Sequence, residues 1–505
     1  MKNQNVMVIL CDQLRPDYLS CYNEKSPVKT PNIDSLVGDG VIFEHSITAS
    51  PVCAPGRACM MTGRYVSDHG VWTNDMPFRE GIEFLPQRMK DNGYCCGAFG
   101  KLHHYPARDS KGFDVAWQME ENRLKEDDDY FKFIKERHQD ETSYFANGKK
   151  GEYKYSSQEY YDWKIADKAM EFIEENKEKP LFSWVSFQGP HGPIDPPIDF
   201  EYKVKEEDIP EVFEGTYDLP CEVAKYRSAR QGGAKNLPYI ASRFGYAKLI
   251  EFIDFQVGRI ITYLKENDLY HNTTIIFSTD HGHLYMDFGL DGKGPFIYSQ
   301  QLEVPMIVAN NANLPKNVRS DMLTGNLDIA STALSVAGDD RPLAYSRDIA
   351  KMFNDKSYQR EILYSEFCDS MKIVCNKEFR MAYYPFARET ELVRIGDESH
   401  NLANLPEYEG LKYDFMTHIM DFMVLSKGVK IEAWDLTPKV QQGLAEKQPN
   451  FRNEIPIVAP ISNMIAINYL KEYGLDWTYN EFCKDVNVLR HYGVYWDKSL
   501  GTKHK

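Results

Sequence analysis

Short apolar runs alternate with longer segments of helical periodicity over most of the chain. The runs, which are rich in β-branched residues, lie at 6–11, 41–45, 94–99, 181–187, 273–278 and 305–309. The clearest helical segment is 242–266, where apolar residues from Leu249 to Leu264 recur at steps of three and four and predict one stripe packed against a sheet. Thr30 and Pro31 predict the start of a shorter helix, with the threonine as its N-cap. Strands that alternate with helices predict an α/β fold with a mostly parallel sheet sandwiched by helices.

The pattern changes after about residue 360. Short runs separated by turn-like residues lie at 362–368, 371–375, 379–384 and 391–395. This spacing is typical of a small antiparallel sheet, and a helix is predicted to follow at 406–424. We therefore predict a main domain at 1–360, a smaller C-terminal antiparallel-sheet subdomain at 361–440 and an extension at 441–505, whose role the pattern does not reveal.

Charge and hydropathy narrow the classes of partner. The formal net charge is −16, which opposes a nucleic-acid partner because phosphate backbones are bound by clustered lysine and arginine. An anionic substrate would need a local positive pocket in this negative protein. The first apolar run meets Asp12 too early for a signal-peptide core, and no run approaches the roughly 20 residues that span a bilayer. We expect no membrane partner and a cytoplasmic location.

One of the ten cysteines lies in a distinctive segment, whereas the others lack the spacing of a zinc site or a disulfide scaffold. Cys53 opens the sequence Cys-Ala-Pro-Gly-Arg, which ends at Arg57, and Thr62-Gly63-Arg64 follows. This segment strongly resembles the signature of the sulfatase family, in which a dedicated enzyme oxidises the cysteine to formylglycine. The resemblance covers about residues 5–425 and implies an alkaline-phosphatase-like fold.

A formylglycine at position 53 has a chemical rationale. Its aldehyde hydrates to a geminal diol, of which one hydroxyl can attack sulfur while the other later expels sulfate, so that the covalent intermediate breaks itself down. A nucleophile that opens a helix also lies near unpaired backbone amides and the positive end of the helix dipole. Arg57 lies four residues further on and is expected to fold back over the developing oxyanion.

Two polar pairs come close behind apolar runs, where α/β folds bind ligands. Asp12 and Gln13 follow the first run, and Asp280 and His281 follow the fifth. Two carboxylates and an amide carbonyl suit a hard cation such as calcium better than zinc or copper. With Cys53, these residues are expected to bind one Ca²⁺ per chain. Many sulfatases carry two adjacent aspartates where this chain has an Asp-Gln pair, a departure seen in related phosphonate and sulfate hydrolases, so a phosphoester substrate is less firmly excluded.

A lysine and a histidine follow the third apolar run. Gly100-Lys101-Leu102-His103 resembles the Gly-Lys-x-His element of the family, in which the lysine binds sulfate and the histidine acts on the formylglycine diol. The element favours a sulfatase, because phosphonate hydrolases tend to lack both residues here. His104 follows immediately, and the sequence leaves open which histidine points into the site.

Three further residues complete the expected site. The loop at 190–193 resembles the Pro-His-x-Pro loop of the family, whose histidine, here His191, can protonate the leaving group. Lys293 lies 13 residues beyond Asp280, close to where the family carries its second sulfate-binding lysine. Asn74 stands where related hydrolases place a polar contact to the transferred group.

These features predict a sulfuric ester hydrolase, with 1–360 as its catalytic domain, that releases inorganic sulfate from a small sulfated sugar or aryl sulfate. The expected partners are that substrate and a formylglycine-generating or anaerobic sulfatase-maturing enzyme. Two alternatives stay open: a phosphonate monoester or phosphodiester hydrolase of the same superfamily, and a non-catalytic protein that binds sulfated glycans with Cys53 unconverted. Neither the natural ester nor the oligomeric state follows from the sequence.

Overall fold

The computed structural model describes residues 4–426 except 75, 108, 121–126, 142–152, 214–238, 369 and 386. These residues form a main sheet of eight strands: β1 Asn5–Asp12, β2 Gly40–Ile47, β3 Cys95–Gly100, β4 Val115–Gln118, β5 Leu181–Pro190, β6 Thr273–Thr279, β7 Met306–Ala309 and β8 Val318–Gly325. The spatial order is β4-β3-β5-β1-β6-β7-β2-β8. All pairs are parallel except those of β7 with β6 and β2. The predicted α/β fold with a mostly parallel sheet is confirmed.

Helices cover both faces of the main sheet. They are α1 Pro31–Gly38, α2 Cys53–Thr62, α3 Val66–His69, α4 Leu85–Asp91, α5 Asp129–Arg137, α6 Tyr161–Asn176, α7 Tyr239–Glu266, α8 Ser299–Leu302, α9 Ile329–Val336 and α10 Ile349–Asn354. Met7 and Ile9 of β1 pack into one apolar cluster with α6 and α7, whereas Val8 and Leu10 pack into a second cluster with α4 and α9. A strand covered on both faces requires a continuous apolar sequence. No described helix is both long and apolar enough to cross a membrane.

A second, antiparallel sheet follows the main one. Its strands are β9 Leu363–Phe367, β10 Met371–Cys375, β11 Phe379–Tyr384 and β12 Glu389–Arg394, and each pairs with the next along the chain. The predicted antiparallel sheet is confirmed. The helix predicted from residue 406 begins as a 3₁₀ turn and becomes α11 Glu409–Leu425, which packs on the sheet. Residues 427–505, which include the predicted extension 441–505, lie outside the described residues, and the predicted domain boundaries stay predictions.

Two strands and one helix cap differ from the sequence prediction. β4 and β8 were not predicted; they are the two edge strands, where apolar residues are fewer because one side of the strand faces solvent. Pro31 begins α1 as expected, but the Thr30 side chain makes no capping bond. The Asp254 carboxylate of α7 instead accepts the backbone N–H of Asn32 at 3.1 Å and of Ile33 at 2.8 Å. Thr30 therefore occupies the predicted N-cap position, but a carboxylate distant in sequence accepts the capping hydrogen bonds.

A buried ion pair lies where the second sheet contacts α3. Glu366 of β9 pairs with Lys372 of β10, and both side chains are buried. A carboxylate oxygen of Glu366 also accepts the backbone N–H of Ser67 at 2.7 Å and its hydroxyl at 3.0 Å. The carboxylate therefore depends on partners from both parts of the molecule.

Replacing Lys372 with methionine is expected to lower the free energy of unfolding by about 3 kcal/mol, because Glu366 would stay buried without its cationic partner. Chemical denaturation at neutral pH measures this change. Lys377→Met is the matched control, since its pair with Asp321 is exposed and should contribute less than about 1 kcal/mol. Equal losses in the two variants would contradict the role of the buried pair.

Candidate active site

The strand ends bring the predicted site residues together at one edge of the main sheet. β3, β5, β1 and β6 are adjacent and parallel, so their carboxyl ends lie side by side. Asp12 ends β1 and Asp280 follows β6, while Lys101 follows β3 and His191 follows β5. Side chains that are far apart in sequence therefore converge on one small volume.

The thiol of Cys53 lies at the centre of this cluster. Cys53 is the first residue of α2, and its Sγ is 2.8 Å from Lys293 Nζ and 3.2 Å from His281 Nε2. Asp12 Oδ1 lies 3.7 Å from the same sulfur. Burial and the Asp12 carboxylate act to raise the pKa of the thiol, but Lys293, Lys101 and His281 outweigh them and lower the pKa to about 5. The site thus stabilises negative charge at position 53.

Arg57 lies one turn along α2 and bridges the two carboxylates. Its Nε donates to Asp280 Oδ2 at 2.9 Å, and its Nη2 donates to Asp12 Oδ2 at 3.2 Å. Its Nη1 donates to the Lys101 carbonyl at 2.7 Å and to the Ser186 hydroxyl at 2.6 Å. This buried guanidinium ties α2 to the ends of four strands.

The same edge holds a set of donor atoms that could bind a metal ion. Four buried side chains each offer one ligand atom, and these atoms all lie within 4.8 Å of one another: Asp12, Cys53, Asp280 and His281. The Nδ1–H of His281 donates to the Gly282 carbonyl at 2.8 Å, so Nε2 is the ring nitrogen that can serve as a metal ligand. Gln13 lies at the edge of this set. Its Oε1 accepts a hydrogen bond from Lys293 Nζ at 3.2 Å, and the same Nζ contacts Cys53 Sγ. Two carboxylates and an amide oxygen fit a hard divalent cation.

Three cations lie near Asp12 and Asp280: Arg57, Lys101 and Lys293. Lys101 Nζ lies 2.5 Å from Asp12 Oδ2. Burial acts to raise the pKa of Asp12, but Lys101, His191 and Arg57 outweigh it and hold the pKa well below its usual value. A protein with a net charge of −16 therefore contains a local positive pocket of the kind that an anionic substrate needs.

The adjacent histidines His103 and His104 are both buried, but they have different surroundings. The backbone N–H of His103 donates to the Glu120 carboxylate at 3.0 Å, and its φ of +58° lies in the left-handed region that non-glycine residues rarely adopt. The ring of His104 packs against Phe78 at 5.4 Å between ring centroids. Burial and the nearby cations lower the pKa of His104 to about 3, so its ring stays neutral at physiological pH.

Asn74 and His191 border the cluster. Asn74 Oδ1 accepts the backbone N–H of Ala54 at 2.9 Å and so caps the first turn of α2. Its Nδ2 is buried and has no hydrogen-bond partner among the described residues. His191 is half-buried, and its Nδ1–H donates to the Gly192 carbonyl at 2.8 Å.

Sequence reasoning missed two residues that support the site. Asn326 follows β8; its Nδ2 donates to the Asp280 carbonyl at 3.1 Å, and its Oδ1 accepts the backbone N–H of Ala49 at 3.1 Å. Ser186 of β5 binds Arg57. Asn326 directly follows β8, and residues at strand ends often form the site in an α/β fold. This signal was missed because β8 itself was not predicted.

A mostly parallel sheet, with a buried cysteine at a helix start and cations around two carboxylates at one edge, is the arrangement of an alkaline-phosphatase-like fold. The model of the family described as Sulfatase matches residues 4–339. The chain therefore belongs to the sulfatase family and is a hydrolytic enzyme.

Relatives and solved structures agree with this assignment. The chain is 26% identical over 468 residues to the uncharacterized sulfatase YidJ of Escherichia coli strain K12, over 87% of this chain and 91% of the relative. It is 25% identical over 457 residues to an arylsulfatase of Clostridium perfringens, over 82% of this chain and 93% of that one. A phosphonate monoester hydrolase of Agrobacterium radiobacter superposes with a TM-score of 0.71 at 21% identity, over 84% of this chain and 96% of that chain. This last likeness shows the shared fold.

Proposed function

We propose that the protein releases inorganic sulfate from a small organic sulfate ester through a formylglycine formed at Cys53 and with one bound Ca²⁺. The observation that carries the proposal is the position of Cys53, which opens α2 with its sulfur 2.8 Å from Lys293 Nζ and 3.2 Å from His281 Nε2. A nucleophile at this position would meet cations able to bind a transferred sulfuryl group.

The donor set at the sheet edge supports the calcium part of the proposal. Asp12, Gln13, Asp280 and His281, with the residue at position 53, would hold the ion. When bound, calcium would polarise an oxygen of the sulfate group. Arg57, Lys101 and Lys293 would spread the remaining charge, and each such preorganised contact contributes on the order of 3 kcal/mol to transition-state stabilisation.

Two histidines would move the protons. His191 Nε2 would donate a proton to the ester oxygen as the sulfur–oxygen bond to the leaving group breaks. One hydroxyl of a hydrated formylglycine would attack sulfur and release its proton to solvent, and loss of a proton from the second hydroxyl would then re-form the aldehyde and expel sulfate. His103 would accept that second proton, and a water molecule would rehydrate the aldehyde. The packing of His104 against Phe78 favours His103 for this role, and Asn74 Nδ2 would donate to the transferred group.

The mass of the tryptic peptide that contains Cys53 tests the nucleophile. Protein co-expressed with a formylglycine-generating or anaerobic sulfatase-maturing enzyme should show a loss of about 18 Da, the change from thiol to aldehyde, and should release sulfate from an aryl sulfate. An unmodified thiol with no turnover and retained binding of a sulfated sugar would favour the non-catalytic alternative.

A phosphonate monoester hydrolase is the second candidate for two reasons. Such enzymes also carry the Asp-Gln pair found here at Asp12 and Gln13, and the Agrobacterium phosphonate monoester hydrolase shares the fold. Rates on matched aryl sulfate and aryl phosphonate monoesters decide between the two. We expect the sulfate to be hydrolysed faster, since Lys101 and His103 occupy the positions of the sulfatase Gly-Lys-x-His element. A higher kcat/KM for the phosphonate would overturn the sulfatase proposal.

Replacing His103 with alanine is expected to slow steady-state turnover about 100-fold while leaving a burst of one leaving group per active site. The first step does not need His103, whereas release of sulfate does, so a covalently sulfated enzyme should accumulate. Stopped-flow assays and intact mass measure the burst and the adduct. His104→Ala is the matched control and should retain turnover. A loss of all activity without a burst would contradict the role of His103.

A further inference from the structure

The loop that carries His191 is attached to the start of α6. We define this histidine loop as residues 188–195, which extend from the end of β5. The Asp162 carboxylate, in the first turn of α6, accepts the backbone N–H of Gln188 at 2.8 Å and of Gly189 at 3.2 Å. The fit is close, because a Cβ on Gly189 would lie only 2.7 Å from Asp162 Oδ2.

The far end of the histidine loop is attached to the same turn. Asp195 Oδ1 accepts the hydroxyl of Tyr160 at 3.0 Å and that of Tyr161 at 3.3 Å. Asp162, Asp195 and both tyrosines are buried. Three consecutive residues, 160–162, therefore hold both ends of a loop whose middle bears His191.

Two ring contacts of His191 lie within the histidine loop. Its Nδ1 lies 2.8 Å from the Gly192 carbonyl and 3.4 Å from Gln188 Nε2, and both partners belong to the histidine loop. His191 is also close enough to Asp12 to lower the pKa of that carboxyl. The loop backbone that Asp162 holds therefore helps to fix the position of the imidazole relative to the strand ends.

We infer that Asp162 is a positioning residue for His191, holding the histidine loop so that the imidazole reaches the leaving-group oxygen. This inference rests on the proposed role of His191 as the leaving-group acid. A proton donor works only within hydrogen-bond distance of its acceptor, and a misplacement of about 1 Å can cost about 100-fold in rate. The loss should therefore be selective for esters whose leaving group needs a proton.

The test compares Asp162→Asn with wild type on two substrates. The leaving group of 4-nitrophenyl sulfate is stable as an anion, whereas that of an alkyl sulfate needs protonation. Burial raises the pKa of Asp162 to about 7, so the assays are run about one pH unit higher, where the carboxylate is ionised. We expect kcat for the alkyl ester to fall about 30-fold and kcat for the nitrophenyl ester to fall less than about threefold.

Two more variants control for simple destabilisation. Asp254→Asn removes another buried carboxylate that accepts two backbone N–H groups, at the start of α1, and should leave the ratio of the two rates unchanged. Gly189→Ala keeps Asp162, but its added methyl group should push the histidine loop away from the carboxylate. This variant should therefore show the same selective loss of kcat for the alkyl ester. Thermal unfolding of each variant establishes that it is folded in the assay.

The role of His191 is measured in parallel with His191→Ala and the double variant. We expect His191→Ala to show the same selective loss and the double variant to be no more selective than His191→Ala alone. Equal losses on both esters for Asp162→Asn, with a selective loss for His191→Ala, would overturn the positioning role alone. A non-selective His191→Ala would overturn the proposed leaving-group acid, and the inference with it.

Discussion

Replacing Cys53 with alanine is expected to lower kcat for 4-nitrophenyl sulfate by on the order of 10⁵-fold. The covalent route needs a nucleophile at the first residue of α2, and the methyl group of alanine can be neither oxidised to an aldehyde nor hydrated. The surrounding cations should still bind a sulfate group, because Lys293, Lys101 and Arg57 are unchanged. The measurement is kcat and KM for protein co-expressed with the maturing enzyme, together with the mass of the peptide that contains position 53.

Cys59→Ala provides the matched control for this loss. Cys59 is a second buried cysteine of α2, and its Sγ lies 3.3 Å from His69 Nε2, away from the cluster of ligand atoms. Its replacement should cost about 1 kcal/mol of stability but change kcat less than about threefold. If the alanine variant at position 53 kept wild-type kcat, or if both variants lost activity equally, the role of Cys53 as nucleophile precursor would be wrong.

Removing the metal with a chelator is expected to lower kcat about 1,000-fold, and adding Ca²⁺ should restore it. Without the ion, Asp12 and Asp280 would draw Arg57 and Lys101 toward themselves, and these cations would be less able to stabilise the charge of a sulfuryl group. Both cations are close to these ligands, since Arg57 contacts the two carboxylates and Lys101 Nζ lies 2.5 Å from Asp12 Oδ2. Activity is measured across a calcium titration of the chelated protein.

Thermal unfolding gives a readout of calcium that does not depend on activity. An ion that binds only the folded chain stabilises it by about 2.7 kcal/mol at a hundred times its Kd, so Tm should rise with Ca²⁺. Asp12→Asn should abolish this rise, whereas Asp254→Asn, whose carboxylate caps α1, should retain it. If Ca²⁺ raised the Tm of Asp12→Asn as much as that of wild type, the ion would bind at a site without Asp12.

Local pattern was enough to predict the strands that are buried on both faces. β1, β5 and β6 are covered by helices, and such strands need uninterrupted apolar sequences. The edge strands β4 and β8 carry a weaker signal, because one side of each faces solvent and polar residues are tolerated there. The antiparallel arrangement of β7 within the main sheet had no local signal, since strand direction depends on how the neighbouring segments connect.

The sequence by itself determined which residues stand at strand ends and helix starts, and this covers Asp12, Lys101, Asp280 and Cys53. Their expected roles followed from short motifs, whose residues are close together in the sequence. Only the tertiary structure decided which side chains meet. Arg57 contacts Asp280, 223 positions away, and Asp254 caps a helix 221 positions away. Asp162 holds the histidine loop across 26 residues. Such contacts depend on the order and direction of strands in the sheet, which the periodicity of one segment does not encode.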